Sequence, residues 1–167
     1  MTQAVLSIGS NLLDRQGYLQ LAVDEIHKAS HTDTVSISAV YETAPVGGPA
    51  QQDFLNMILI VETTLDAHAL LEFTQGIEHE AQRERIEHWG PRTLDVDIID
   101  FGGAVIDDED LSIPHPRAHE RGFVLIPWLS VDPDALVVGH GRVEDLIRDI
   151  SFVEVRERRD VQMYQEK

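Results

Sequence analysis

FLNMILIVET, residues 54–63, is the segment that decides the fold. Its apolar residues fall on both alternations of an extended chain, whereas a strand with one face in solvent alternates apolar and polar residues. The pattern therefore predicts a central strand that is covered on each side. The preceding residues 42–53, ETAPVGGPAQQD, are rich in Pro and Gly and lack any period, which predicts a mobile loop.

Upstream of this strand, the sequence predicts a strand, a helix and a second strand. Residues 4–8, AVLSI, read as a short strand, and Asp14 is placed to cap the helix that follows. The apolar stripe of that helix comprises Leu19, Ala22, Val23 and Ile26. Residues 34–41 alternate, which predicts a strand whose buried face carries Val35, Ile37 and Ala39.

Downstream, a second helix and a fourth strand are predicted. Asp66 is placed to cap a helix whose inner face carries Leu70, Phe73, Thr74 and Ile77. Residues 93–101 alternate as a strand, and Gly102-Gly103 predicts a tight turn into a hairpin with 104–106. The expected additions are an extended piece at 111–113, a helix with Pro116 in its first turn that includes 123–126 before Pro127 disturbs it, and a last helix at 143–150.

The order strand, helix, strand, strand, helix, strand is the split βαβ pattern of ferredoxin-like domains. We therefore predict an α+β fold in which an antiparallel sheet has its helices packed on one face, with C-terminal additions. Residues 1–150 are expected to form a single domain. Residues 151–167 form a charged C-terminal tail, to which the pattern assigns no role.

Composition limits the classes of function. The 167 residues include no cysteine, which excludes a disulfide framework and a thiolate metal site. A net charge of −17 argues against a nucleic-acid or anionic membrane partner, and no apolar stretch approaches the ~20 residues that span a bilayer. We expect a cytoplasmic monomer.

The few cations are unevenly distributed along the chain. Lys and Arg are absent from residues 29–82, and five arginines then follow within 39 residues. Such a cluster either holds a small polyanion or balances neighbouring acids at the surface. These arginines are Arg83, Arg85, Arg92, Arg117 and Arg121.

The stretch WGPRTLDVDI, residues 89–98, places two carboxylates on one face of a strand. Leu94, Val96 and Ile98 share one alternation, and Asp95 and Asp97 the other. Two carboxylates about 7 Å apart repel unless water screens them or a cation binds between them. Oxygen ligands without cysteine favour Mg²⁺, while the alternative is a solvated polar face.

Asn56 lies inside the apolar run and shares its alternation with Phe54. A buried amide must be hydrogen-bonded, so Asn56 either bonds a neighbouring backbone or reads the edge of a flat heterocycle stacked on Phe54.

A third constellation is SIPHPRAHERGFVL, residues 112–125. Four of its side chains near a helix start, His115, Arg117, His119 and Arg121, are candidate phosphate contacts. Pro114 and Pro116 break the helical register that a histidine pair would need to bind a transition metal.

Four segments, SIGSN, YETAPVGGPAQQDFLN, WGPRTLDVDIIDFGG and IPHPRAHERGFVL, occur in an order and spacing that resemble the 6-hydroxymethyl-7,8-dihydropterin pyrophosphokinases of the folate pathway. The resemblance covers roughly residues 1–150. It implies the ferredoxin-like fold and transfer of pyrophosphate from ATP to the pterin, with release of AMP.

The resemblance also implies roles for particular residues. Asp95 and Asp97 would hold two Mg²⁺ ions and, with Arg83 and Arg92, form the catalytic set. The implied pterin-binding residues are Thr43, Ala44, Pro45, Val46, Phe54, Asn56, Trp89 and Phe123. The implied ATP-binding residues are Gln75, Glu78, Arg83, Arg92, Ile98, Ser112, His115 and Arg121.

Two departures from the family pattern bear on ATP. The segment between Arg85 and Trp89 is one residue shorter than in some members, with Ile86 where some carry Lys, and Asp110 stands where some have a basic residue. Two other functions fit the same residues: a non-catalytic ferredoxin-like module that binds a pterin or purine, and a Mg²⁺-dependent phosphoesterase.

Overall fold

A six-stranded sheet organises the computed structural model, which describes residues 1–45, 51–82, 93–150 and 155–165. The strands are β1 (Thr2–Ser10), β2 (Thr32–Ile37), β3 (Tyr41–Thr43), β4 (Phe54–Thr63), β5 (Asp95–Phe101), β6 (Ile106–Asp107), β7 (Ser112–Ile113), β8 (Leu136–Val137), β9 (Gly141–Arg142) and β10 (Val155–Glu157). The helices are α1 (Arg15–Lys28), α2 (Ala67–Gln82), α3 (Gly122–Val131) and α4 (Val143–Asp149), with a 3-10 turn at Ala118–Glu120.

The sheet has β1 between β4 and β5, and all of its pairs are antiparallel. The edge of β4 that faces away from β1 pairs with β2 along residues 59–63 and with β3 along residues 54–56. Strand β10 pairs with the far edge of β3. The predicted α+β, ferredoxin-like arrangement of an antiparallel sheet with packed helices is confirmed.

Both faces of the sheet are buried. Leu55, Met57 and Leu59 of β4 enter a core with α1 and α2, while Ile58 and Ile60 enter a second core with α3 and α4. The prediction of a strand covered on each side is confirmed, and the expectation of helices on one face is wrong. The C-terminal helices supply the second layer, because the apolar residues on the other alternation of β4 must also leave water.

The two long helices begin as their capping residues predict. The Asp14 carboxylate accepts the Gly17 amide at 3.0 Å, and the Asp66 carboxylate accepts the Ala69 amide at 2.8 Å. The stripe of α1 (Leu19, Ala22, Val23 and Ile26) is fully buried.

The strand predicted over 34–41 is two strands, β2 and β3, and of its predicted buried face only Ile37 packs against a core. Val35 and Ala39 are exposed and Ser38 is buried. A register shift between Thr34 and Ser36 inserts a residue into β2, which reverses the side-chain alternation beyond it.

Two further expectations are corrected after β5. Gly102 and Gly103 make the tight turn with positive φ, but the next strand, β6, pairs with β7 instead of forming a hairpin with β5. Helix α3 begins at Gly122 instead of Pro116, after the separate 3-10 turn, and it continues through Pro127, since Leu125 and Trp128 on either side are buried in the second core.

The C-terminal tail has structure that the sequence pattern did not reveal. Val155 pairs with Thr43 and Glu157 with Tyr41, so β10 extends the main sheet. Val161 is buried in the first core. Within the described ranges, no helix has the length and apolarity needed to cross a bilayer.

The second core should contribute substantially to stability. We expect Leu125→Ala, which removes a fully buried side chain, to lower the free energy of unfolding by about 2–5 kcal/mol in urea denaturation. Leu136→Ala, at a largely exposed position, should cost less than about 0.5 kcal/mol. Equal losses in the two variants would contradict the two-core arrangement.

Candidate active site

A cleft opens where one face of the sheet changes from apolar to polar. Along β1, β4 and β5, that face carries Val5, Ile58 and Ile99 at one end, all buried in the second core. Towards the other end the same alternations carry polar or small residues, and a cleft of about 490 Å³ lies over them. Its lining comprises Ser7, Gly9, Thr43, Ala44, Pro45, Phe54, Asn56, Asp95, Asp97, Arg117, Glu120, Arg121, Gly122 and Phe123.

The aspartate pair lies on this face, as the alternation predicts. Asp97 is opposite Ser7 and Asp95 opposite Gly9 in the β1–β5 register, and both carboxylates line the cleft. The Val96 amide between them donates to a Glu78 carboxylate oxygen at 2.8 Å. Glu78 on α2 thereby holds the outer edge of β5, while the side chains of Leu94, Val96 and Ile98 are buried in the core.

Asp100 does not join the pair. A register shift in the β1–β5 pairing places it opposite Val5, beyond the lining of the cleft. Burial raises the pKa of the Asp100 carboxyl, an effect only partly offset by the Gly103 amide.

The oxygen donors of the cleft fit a hard cation that takes only part of its coordination from protein side chains. Among the described residues no group of three or more His, Cys, Asp or Glu side chains is arranged to hold a metal ion. The cleft supplies two carboxylates, Asp95 and Asp97. Mg²⁺ is bound in this way when phosphate oxygens and water complete its coordination.

Asn56 is buried and directed into the cleft beside Phe54. Its amide nitrogen donates to the Thr43 hydroxyl at 2.9 Å. A Cβ added to Gly9 would lie 2.8 Å from the Asn56 side-chain oxygen, so only glycine permits this approach. The strand register therefore fixes a hydrogen-bonding amide in the floor of the cleft.

The opposite wall comes from the 3-10 turn and the start of α3. It contributes Arg117, Glu120, Arg121, Gly122 and Phe123. The guanidinium carbon of Arg121 lies 5.5 Å from the centre of the Phe123 ring, within the range of a cation–π contact. This wall thus combines positive charge with an aromatic surface.

His115 lies just outside this wall and is oriented by the backbone. Its Nδ1 accepts the Arg117 amide at 3.2 Å. Burial, together with the positive charges of Arg121 and Arg117, lowers the pKa of the His115 imidazole.

The structure brings together most of the predicted pterin-binding residues and the predicted metal ligands. Outside the lining of the cleft are Gln75, Glu78, Ile98, Ser112 and His115. Val46, Arg83, Arg85, Ile86, Trp89 and Arg92 lie outside the described residues. Asp110, which departs from the family pattern, lies 3.7 Å from the Nε2 of His68 at the surface.

Sequence reasoning did not select Ser7, Gly9, Glu120 and Gly122. Ser7 and Gly9 share the alternation of Val5 and pair with the aspartates, so the strand register would have identified them. Glu120 and Gly122 lie between predicted site residues, and no separate sequence signal marks them.

The fold and the cleft together define a ferredoxin-like α+β protein with a small-molecule site on its sheet. Residues 5–133 match the sequence model of the 7,8-dihydro-6-hydroxymethylpterin-pyrophosphokinase (HPPK) family. The chain therefore belongs to this family. This finding confirms the resemblance seen in the sequence.

Curated relatives carry the corresponding name. The 2-amino-4-hydroxy-6-hydroxymethyldihydropteridine pyrophosphokinase of Bacillus subtilis is 46% identical over 77% of this chain and 77% of its own length. The enzyme of the same name from Mycobacterium leprae is 42% identical over 98% of this chain and 89% of its own.

A solved structure supports the fold alone. The wild-type HPPK-DHPS of Plasmodium falciparum superposes with a TM-score of 0.70 at 15% identity. The match covers 89% of this chain but 44% of that protein.

The pKa of His115 offers a direct test of this wall. We expect Arg121→Gln to raise the pKa of His115 towards its ordinary value, since one of the positive charges that disfavour the imidazolium is removed. Titration by NMR of the imidazole signals measures the shift. Arg148→Gln, at an exposed position of α4, is the control and should leave the titration of His115 unchanged. The same His115 midpoint in the Arg121 variant would contradict this account.

Proposed function

We propose that this protein transfers the β,γ-pyrophosphoryl group of ATP to the hydroxymethyl oxygen of 6-hydroxymethyl-7,8-dihydropterin in folate biosynthesis. One observation carries the proposal: a single cleft holds Phe54 and Asn56 at β4 and the aspartates at β5. A flat heterocycle and a metal-bound polyphosphate can therefore meet in it. The names of the curated relatives support the same reaction.

The pterin occupies the end of the cleft near β3 and β4. Its ring stacks between Phe54 and Phe123, which both line the cleft, and the Asn56 side chain reads the edge of the ring. Thr43, Ala44 and Pro45 line the adjoining wall. Val46 is proposed to contact the pterin as well. Trp89 is proposed to complete this subsite.

The phosphates occupy the end near β5, where Asp95 and Asp97 would hold two Mg²⁺ ions. The ions would supply positive charge that neutralises the phosphates, as phosphoryl-transfer chemistry requires. Arg121 lies on the facing wall and contacts phosphate, and Arg83 and Arg92 are proposed to do the same.

The remaining ATP contacts are proposed along the outer edge of β5 and beside it. The Val96 amide points away from β1 towards Glu78, so Ile98, two residues on, presents its backbone groups to the same edge. The side chain of Ile98 is buried, and its nucleotide contact is therefore made by the backbone. The other proposed ATP-binding residues are Gln75, Glu78, Ser112 and His115.

The reaction is an in-line displacement. The pterin hydroxymethyl oxygen bonds to the β-phosphorus as it loses its proton, and the bond to the oxygen bridging the α- and β-phosphates breaks, which releases AMP. The side chains of the cleft align the two substrates, exclude water and stabilise charge, which are the main requirements of phosphoryl transfer. We further propose that the protein acts as a cytoplasmic monomer without nucleic-acid or membrane partners, in keeping with its net charge of −17.

Phosphorus NMR of the protein with ATP, Mg²⁺ and the pterin tests the reaction. We expect pterin-dependent formation of AMP and a pterin diphosphate. Asp97→Asn, which removes one carboxylate charge from the cleft, should lower the rate about a hundredfold or more. Asp100→Asn, on the same strand but beyond the cleft, is the matched control and should retain most activity.

Other products would point to other functions. Formation of ADP, or release of inorganic phosphate without the pterin, would overturn the proposal and favour a phosphoesterase. Pterin binding that is insensitive to chelators and yields no AMP would instead favour a non-catalytic binding module. Full activity of the Asp97 variant would place the metal site elsewhere.

Asn56→Ala tests pterin recognition. We expect the KM for the pterin to rise roughly tenfold to a hundredfold, because ring-edge donors and acceptors lose their buried partner, while the KM for ATP changes little. Thr43→Val removes the hydroxyl that accepts from Asn56 but keeps the side-chain shape, and should give a smaller rise in the pterin KM. Equal losses for both substrates would indicate that Asn56 is purely structural.

A further inference from the structure

Three arginines converge on the carboxylate of Glu42, on β3. Its oxygens lie 3.0 Å from Arg15, 2.8 Å from Arg156 and 2.6 Å from Arg158, and its side chain is only 12% exposed. A carboxylate so shielded from water depends on its partners, because each arginine that is removed leaves its charge less well compensated.

Two of these arginines, Arg15 and Arg156, also hold Asp53, the residue that precedes β4. Arg15 donates to the Asp53 backbone carbonyl at 2.8 Å, and Arg156 lies 3.3 Å from the Asp53 carboxylate. Arg15 and Arg156 each bridge positions 42 and 53. We refer to Arg15, Glu42, Asp53, Arg156 and Arg158 as the Glu42 cluster.

Two residues of the Glu42 cluster are direct sequence neighbours of cleft residues, although none of the cluster lines the cleft itself. Glu42 precedes Thr43, and Asp53 precedes Phe54; Thr43 and Phe54 are paired across β3 and β4, and both line the cleft. Side chains alternate along a strand, so Glu42 projects to the face opposite Thr43. Any influence of the cluster on the cleft therefore passes through the backbone of Thr43 and Phe54.

Arg156 and Arg158 come from the C-terminal segment, beyond the residues 5–133 that match the family model. Arg156 lies in β10, directly opposite Glu42 in the β3–β10 register. The Arg158 amide donates to the Val40 carbonyl at 2.7 Å, which fixes the chain beside β3. Arg158 also binds Asp160, whose hydrogen bonds help to raise the pKa of the Arg158 guanidinium above its ordinary value.

We infer that the C-terminal segment positions the pterin-binding residues: through Glu42 and Asp53, Arg156 and Arg158 hold Thr43 and Phe54 at the spacing that the pterin ring requires. This inference rests on the proposed function and deepens it. Arg156 and Arg158 are positioning residues, because they touch Glu42 and Asp53 and are absent from the lining of the cleft.

The double variant Arg156→Gln/Arg158→Gln tests the inference. We expect its dissociation constant for 6-hydroxymethyl-7,8-dihydropterin, measured by fluorescence titration, to rise about fivefold or more. The KM for the pterin should rise in parallel, with kcat and the KM for ATP within about twofold of the wild type. Lysines at the two positions should restore part of the affinity, because they return the charge but not the bridging geometry.

Arg159→Gln is the matched control. Arg159 belongs to the same segment and carries the same charge, but it is 89% exposed and pairs with Glu157 instead of Glu42. We expect unchanged affinity for both substrates in this variant. A loss equal to that of the double variant would mean that general positive charge, not the cluster, is responsible.

The outcomes separate the two proposals. Failure of the wild-type protein to bind the pterin would overturn the proposed function, and the inference with it. If the wild type binds the pterin and the double variant binds it equally well, the inference alone is overturned. Equal loss of affinity for pterin and ATP in a folded double variant would also overturn it, since a purely structural role predicts no preference for one substrate.

Discussion

Strand β4 has both of its faces inside the protein, which leaves little freedom for the polar groups that it carries. Over most of its length the solution is simple: aliphatic side chains enter one core or the other. At its first residues the second core ends, and Phe54 and Asn56 face a cleft instead. Strands β1 and β5 change from apolar to polar or small residues at the same position along the sheet, because paired residues of neighbouring strands lie on the same face. The site is thus the continuation of a core in which polar and aromatic groups replace aliphatic ones.

Much of this arrangement can be predicted from local patterns. The alternation of LDVDI separates the buried aliphatics from Asp95 and Asp97, and the position of Asn56 in an apolar run marks it as unusual before any fold is known. Capping by Asp14 and Asp66 is equally local. Each of these features depends only on the geometry of one strand or one helix turn.

The features that escaped prediction depend on contacts between distant segments. The register shift in β2 leaves Val35 without a partner in β4 and puts Thr34 and Ile37 on the same face, and nothing in the alternating sequence predicts it. The pairing of β10 with β3 joins segments more than a hundred residues apart. The local sequence of the tail therefore indicates only its charge and not its place in the sheet. The layer formed by α3 and α4 was missed for the same reason, since the ferredoxin-like pattern accounts only for the first two helices. Periodicity describes one regular element, but it shows neither where a register shift interrupts that element nor which partner buries it.

The pairing of β10 has a consequence for the behaviour of the folded chain in a crowded solution. An exposed strand edge offers unpaired amides and carbonyls to any neighbouring molecule, and sheets with open edges are prone to associate edge to edge. Here β10 covers β3 on one side of the sheet. On the other side, the amide of Val96 is already occupied by Glu78. The strand β10 itself is short and carries the charged side chains Arg156 and Glu157, which discourage further strand addition. The C-terminal segment therefore ends the sheet as well as extending it, and a chain that lost it would expose the edge of β3 to other copies of itself.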